Sequence, residues 1–533
     1  MLKKTAIAVI WLLALASMLT AQDPKTVIRN ASKAMGYDGL KSIEYSGPSG
    51  FEGTAMGQAR SAAKGWPHFT LKNFSRYIDL DAGTSQQNSL RSRPAEPDGQ
   101  LAGGGGLAPQ AEAPNTTNVN ANATWAQKLD INLSPPGFLK LASVASKATV
   151  SQRTVNGKKY TVVTFPVEQT APSGVPYSIS GYFDDQNMLA KVETKVEDNL
   201  IGDMLVEQTF SGYKDFGGVK FPTHIVQTRA GLAWTDLTVS DVKANGPAPQ
   251  PVAAAGGRGG APGGGRGGDG RGAGGGRGAA DGRGAPAEAR GAAPEGRGGG
   301  QGGGRGAAPP ISAKKLGEGI YMITGGYRSV AVEMKDHIVL IEAPNSEDTT
   351  NNIIAEVKKT IPNKPIRYVV NTHTHADHSG GLRAAAAEGA TIITHESNKV
   401  LYEKWFTNPR TLLKPDKLSQ SEKKAKFEYI GEKKVLKDST NTIELYHLDG
   451  VAHAEDMIVA YLPKIKTVVE ADAFNAPPPN APPPQAINGL EKLFASELDR
   501  LKIDYTTIIP IHQPNPDREI TKADLLKNIG RGN

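Results

Sequence analysis

The sequence predicts two folded parts of different class: a β-rich antiparallel N-terminal domain and a layered α/β C-terminal domain. Three observations carry this. From residue 311 onward, apolar strand-like runs alternate with amphipathic helical runs over short links, which implies sheets covered by helices. Residues 23–245 instead show strand after strand with period-two alternation, as in Tyr177-Ser-Ile179-Ser-Gly-Tyr182, so one face of an antiparallel sheet meets water. Between them, residues 246–310 are Gly, Ala, Arg and Pro, with no apolar side chain larger than that of Val252. Such a stretch cannot bury enough surface to offset its ordering entropy and reads as a flexible tether.

The first residues have their own logic. Lys3 and Lys4 precede an apolar run to Leu19, and small residues around Ala21 follow. Residues 1–21 therefore read as a cleavable signal peptide. The run is shorter than the roughly 20 residues of a bilayer crossing. The expectation is a periplasmic or secreted protein with no membrane span after cleavage. The chain of 533 residues contains no cysteine, which excludes disulfides, thiol nucleophiles and zinc ribbons. Its formal charge of +7 arises largely outside the folded parts. Residues 251–310 hold eight Arg against four acidic residues, and the signal segment adds two lysines. The near-neutral remainder excludes a nucleic-acid footprint. The Arg-Gly stretch also lacks the aromatics that stack on bases.

In the N-terminal part, residues 24–35 have helical apolar spacing and stop at Gly36. Strands are predicted over 41–45, 155–167, 177–183, 189–196, 204–210, 219–227 and 234–242, with turns at Asn156-Gly157 and at 185–187. Residues 93–124, rich in Pro, Gly, Ala and Asn, read as a disordered insertion. The strand succession and the phrase Gly217-Gly-Val-Lys-Phe221-Pro222-Thr resemble the lipoprotein-carrier half-barrels of the bacterial periplasm. That resemblance implies an apolar or envelope ligand; a β-domain that spaces or docks an enzyme is the alternative.

In the C-terminal part, strands are predicted over 320–323, 329–333, 338–341, 366–371, 391–394, 443–447, 457–462, 467–470 and 505–511. Helices fall at 349–360, 398–406 and 490–501, and one opens after Ser379-Gly380-Gly381. The chemistry is concentrated in His373-Thr-His375-Ala-Asp377-His378, directly after the β-branched run ending at Asn371. Imidazole and carboxylate are ligands that suit zinc or iron. In an extended turn His373 and His375 point to one side, so both reach one metal, while Asp377 and His378 swing toward a second.

This run, with Gly450-Val-Ala-His453, Val468-Val-Glu-Ala-Asp472 and Ile508-Ile-Pro-Ile-His512 in the same order, resembles the metallo-β-lactamase superfamily. The resemblance implies an αββα sandwich over residues 311–533. It also implies a dinuclear site: His373, His375 and His453 for one ion, Asp377, His378 and His512 for the other, and Asp472 bridging. Two Zn2+ are expected, with iron or manganese as alternatives. The implied activity is metal-dependent hydrolysis of a small-molecule ester, lactone, thioester or β-lactam-type carbonyl by a hydroxide held at the site, Asp377 orienting it. The other readings are a mononuclear iron persulfide-type oxygenase and an envelope ligand-binding protein with a subordinate metal domain.

The remaining polar positions have plainer readings. Asp456 reads as a turn residue, and His395 and His447 as supporting or core histidines. Glu342 stands where the family carries an aspartate. Trp405 and Phe406 read as core. The repeat in residues 475–484 is a stiff polyproline connector or a wall of the site.

Overall fold

The computed structural model describes residues 23–54, 56–94, 109–249, 310–482, 484 and 486–531. The predicted signal peptide, residues 95–108 of the insertion and residues 250–309 of the tether lie outside the described residues.

The first helix is Pro24–Met35. Asp23 caps it by accepting from the Lys25 and Thr26 N–H groups, and Gly36 ends it at φ 72°, a conformation glycine adopts without strain. Its Val27, Ile28, Ala31 and Met35 are buried, one stripe at helical spacing. The stripe faces an antiparallel sheet that has twelve strands among the described residues. Asn156 (φ 49°) and Gly157 (φ 78°) form the left-handed turn between Thr149–Val155 and Lys158–Thr170. The run predicted at 155–167 is thus the end of one strand, a turn and most of the next.

The insertion requires a correction. Gln110–Val119 is a strand, paired antiparallel with Thr84–Arg93 from Ser85↔Val119 to Arg93↔Gln110. It lies at the end of the sheet and buries none of its residues. An edge strand needs only a partner's backbone and tolerates polar residues, so its composition concealed it. The polar strand His68–Asp79 and helix Pro135–Val144 were likewise absent from the sequence reading. That helix inserts Phe138 between Phe165 and Phe183, at ring-centroid distances of 5.5 and 6.0 Å. Gly181 makes room, since a Cβ there would lie 2.3 Å from the Phe138 ring. The sheet also buries a charged network: Arg76 donates to Gln87 (2.7 Å) and Tyr45 (3.1 Å) and pairs with Asp130 (3.2 Å).

The C-terminal part has a seven-stranded and a six-stranded sheet. Ile338–Ile341, Ile366–Val370, Thr391–His395 and Lys426–Ile430 run parallel in the first. In the second, Thr467–Glu470 and Thr507–Pro510 are parallel neighbours. One apolar layer joins the two sheets, with Ile341, Val370 and Ile393 from the first and Leu445, Val469 and Ile509 from the second. Helices Glu347–Thr360 and Leu382–Glu388 cover the outer face of the first, and Gly489–Arg500 that of the second. This is the αββα arrangement.

One apolar cluster runs from the N-terminal sheet into the C-terminal one. Trp66 stacks on Trp405, 6.3 Å between centroids and 3° between planes, and donates to the Arg229 carbonyl. Asp203 accepts from the Thr411 hydroxyl (2.7 Å) and the Leu412 N–H (3.0 Å). Trp405 is therefore core, at the contact between the two sheets. Trp405→Ala should destabilise the full chain by about 3–5 kcal/mol, read as a fall in ΔG from urea unfolding; a change under about 1 kcal/mol would mean the contact is peripheral.

Candidate metal centre

The donors sit at strand ends, where loops of both sheets converge. Ile366–Val370 leads into the loop with His373 and His375, and the one-turn helix Ala376–Ser379 carries Asp377 and His378. Gly380 and Gly381 follow because nothing larger fits: a Cβ would meet the Asn345 carbonyl at 2.1 Å or the Thr350 hydroxyl at 1.8 Å. His453 precedes Ile458–Leu462, Asp472 follows Thr467–Glu470, and His512 follows Thr507–Pro510.

All seven predicted donors come together in two groups that share Asp472. In the first, His373, His375, His453 and Asp472 place ligand atoms within 4.8 Å of one another. The second, Asp377, His378, Asp472 and His512, satisfies the same limit. The shared carboxylate lies against histidines of both groups. Asp472 Oδ2 lies 3.0 Å from His453 Nε2, 3.4 Å from His373 Nε2 and 3.3 Å from His378 Nε2, and Oδ1 lies 2.8 Å from His512 Nε2. Asp377 Oδ2 lies 3.4 Å from both His378 Nε2 and His512 Nε2.

Backbone strain and buried polar groups hold the cluster in place. Asp472 (φ 62°) and Glu342 (φ 77°) occupy the left-handed region, a strain tolerated where surroundings over-determine the geometry. Glu470 supplies that for Asp472, its Oε2 accepting the Ala473 (2.9 Å) and Phe474 (3.2 Å) N–H groups. Asn371 donates to the His373 carbonyl (2.7 Å) and accepts from the Tyr402 hydroxyl (2.6 Å). Glu342 Oε2 accepts the Thr372 hydroxyl (2.5 Å) and lies 3.3 Å from His378 Nδ1. The longer side chain at 342 thus reaches the metal loop and supports it.

The cluster's electrostatics suit cations. His373, His375 and His378 are fully buried, and both ring nitrogens of His375 lack a hydrogen-bond partner among the described residues. A buried polar group is costly without a partner, and a cation between the lone pairs would supply one. Burial and the neighbouring His378 charge push the His373 imidazole down to about 3, and burial with His453 pushes His375 down. Both are therefore neutral, as ligation requires. For Asp377, burial acts upward, but bonds to His378 and His512 outweigh it and hold the carboxylate well below its ordinary range. The second group is the more open, with side-chain exposures of 36% at His512 and 27% at Asp377.

Three neighbours of the centre went unnoticed in the sequence. The Tyr327 hydroxyl donates to Asp377 Oδ2 at 3.4 Å and its ring lies 4.8 Å from that of His512. Gln58 Nε2 donates to Asp377 Oδ1 at 3.1 Å across 319 residues of sequence. Glu470 was visible only as part of a strand. Among the plainer readings, His395 and His447 stack on one another, centroids 3.9 Å apart. Asp456 is buried, accepting Asn398 Nδ2 at 2.6 Å. Pro477, Pro478, Pro479, Ala481, Pro482 and Pro484 border Arg518 and helix Lys522–Asn528, and Arg518 donates to the Pro477 carbonyl.

Residues 326–478 match the family model of the metallo-beta-lactamase superfamily. The linear primary-alkylsulfatase of Pseudomonas sp. (strain ATCC 19151) is 23% identical over 35% of this chain and 42% of its own length, so the chain spans under half of that relative. Similar solved structures include a metallo-beta-lactamase from Pontibacter korlensis (17% identity, 42% of this chain, 98% of that one, TM-score 0.32). Another is the mono-zinc form of the metallo-beta-lactamase FIM-1 from Pseudomonas aeruginosa (18%, 42%, 95%, TM-score 0.31). The C-terminal region thus matches the metallo-beta-lactamase superfamily. The match and the paired donor groups together support a metal-dependent hydrolase.

Burial pushes the Asp456 carboxyl up to about 7. Because the folded value is raised, the neutral form is favoured in the fold, and stability falls as pH rises from the ordinary range near 4 through about 7. Asp456→Asn stays neutral. Its thermal midpoint should rise relative to the wild type between about pH 5 and about pH 8; parallel curves would refute a buried neutral carboxyl.

Proposed function

We propose that this chain is an exported dinuclear metal hydrolase, with zinc in both positions, that cleaves a small-molecule ester, lactone, thioester or β-lactam-type carbonyl. The observation that carries the reading is the position of Asp472 between the two groups: its Oδ2 lies beside His453 and His378, and its Oδ1 beside His512. His373, His375 and His453 would hold one cation, Asp377, His378 and His512 the other, with Asp472 between them. Bound there, two divalent ions lower the pKa of a water and polarise the scissile bond.

The chain's own groups do the rest. Asp377 stays ionised at the more open end, and its carboxylate would accept a hydrogen bond from the attacking water and orient it. Tyr327 keeps its proton, since burial and the Asp377 charge push its hydroxyl above the ordinary range. In the free site that one proton goes to Asp377 Oδ2; turned toward the substrate, the hydroxyl would donate to negative charge developing there. The buried first group excludes water from its side. The apolar run behind Lys3 and Lys4 supports export.

A second reading is a sulfate ester as the scissile group, favoured by the similarity to the linear primary-alkylsulfatase. The deciding experiment pairs elemental analysis of the purified full chain with a panel of ester, lactone, thioester, β-lactam and linear alkyl sulfate substrates. About two zinc per chain and turnover of one class are expected. Asp377→Ala should lower kcat by about 10²–10⁴-fold; equal turnover by the variant would assign the activity to a contaminant. Tyr327→Phe should cost about tenfold or more in kcat, and an unchanged value would remove the tyrosine from the chemistry.

A further inference from the structure

The loop between strands Ser42–Gly53 and His68–Asp79 belongs to the N-terminal sheet, yet it touches two of the four donor loops of the C-terminal part. The Gly57 carbonyl accepts the Ala376 N–H at 2.8 Å, one residue before Asp377. The Arg60 carbonyl accepts the Glu455 N–H at 3.0 Å, two residues after His453. Lys64 Nζ pairs with Glu455 at 2.5 Å. The approach leaves no slack: Gly57 has φ 81°, and a Cβ there would stand 2.6 Å from that of Ala376. Within this contact Gln58 Nε2 donates to Asp377 Oδ1 at 3.1 Å.

The two oxygens of Asp377 are therefore held differently. Oδ2 faces His378, His512 and the Tyr327 hydroxyl, whereas Oδ1 is engaged by Gln58. A carboxylate with both oxygens engaged cannot rotate freely about its terminal bond, and such outer partners set the orientation of metal ligands. An amide is suited to this, because it donates without carrying charge and leaves Asp377 anionic.

We infer that Gln58, supplied by the N-terminal sheet, is a positioning residue for the more open cation site: it fixes which Asp377 oxygen is presented there, so the centre is complete only with both parts of the chain. This rests on the dinuclear reading above.

The test is zinc competition against a chromophoric chelator, resolving two successive equivalents in the full-length wild type, Gln58→Met, Gln58→Ala and Lys64→Ala. Gln58→Met keeps the length and removes the donor. Lys64→Ala loosens the loop without touching Asp377. In both Gln58 variants the weaker equivalent should lose about 10–100-fold in affinity while the tighter one holds. Lys64→Ala should bind both as the wild type does. Unchanged affinities in Gln58→Met would overturn the inference and leave the dinuclear reading standing. So would equal weakening of both equivalents, or the same loss in Lys64→Ala, since either would mean loop docking alone is at work. A wild type that takes up fewer than two equivalents would overturn both readings.

Discussion

Asp472 carries an unusual concentration of charge for a side chain at the junction of two sheets. Four imidazoles lie within 3.4 Å of its two oxygens, and its backbone occupies a conformation that non-glycine residues avoid. Collecting five histidines and two acids in a largely buried place is expensive unless their charges compensate. Here they do. The carboxylate charge pushes His378 well above its ordinary range, against burial, and bonds to Asp377 and Asp472 push His512 up to about 9, also against burial. His373 and His375 remain neutral. The cluster thus sets His373 and His375, buried and neutral, against a charged, more open group around His378 and His512. A cation at the second group would replace the protons that His378 and His512 share with the carboxylates, which couples metal uptake to proton release.

That division follows from the architecture. The central apolar layer joins the strands of the two sheets, and their ends can then place loops side by side at one rim. The His373 loop belongs to the first sheet, whereas His453, Asp472 and His512 hang from the second. A backbone bond from the Ile458 N–H to the Thr372 carbonyl (2.8 Å) ties the two together. Glu342 and Glu470, fully buried acids, each brace a loop rather than a cation. The N-terminal sheet enters the same construction through the Trp66–Trp405 stack and the loop at Gly57. A continuous apolar core between the two parts makes the N-terminal sheet a structural half of the folded unit rather than a spacer. The charged network around Arg76 sits within that sheet.

Legibility in the sequence tracked the range of the interactions involved. Helix Pro24–Met35 was readable to the residue because its cap Asp23, its stripe and its terminating Gly36 are all local. The turn at Asn156-Gly157 was readable for the same reason. Strand Gln110–Val119 was not, because the stabilisation comes from backbone pairing with Thr84–Arg93 and its polar residues carry no burial pattern. The break between Lys220–Phe221 and His224–Arg229 at Pro222 also appeared only in three dimensions.

The seven donors themselves were written in the sequence. Four of them lie within six residues, where strand and turn geometry decides which side each faces, whereas His453, Asp472 and His512 were legible through the family resemblance. How Asp472 comes to lie between the two groups, how Tyr327 comes to rest on His512 and how Gln58 reaches Asp377 were decided only by the tertiary structure. Those contacts join residues up to 319 positions apart, and no local preference encodes them. They exist because two buried sheets and one shared core leave each loop a single place to lie.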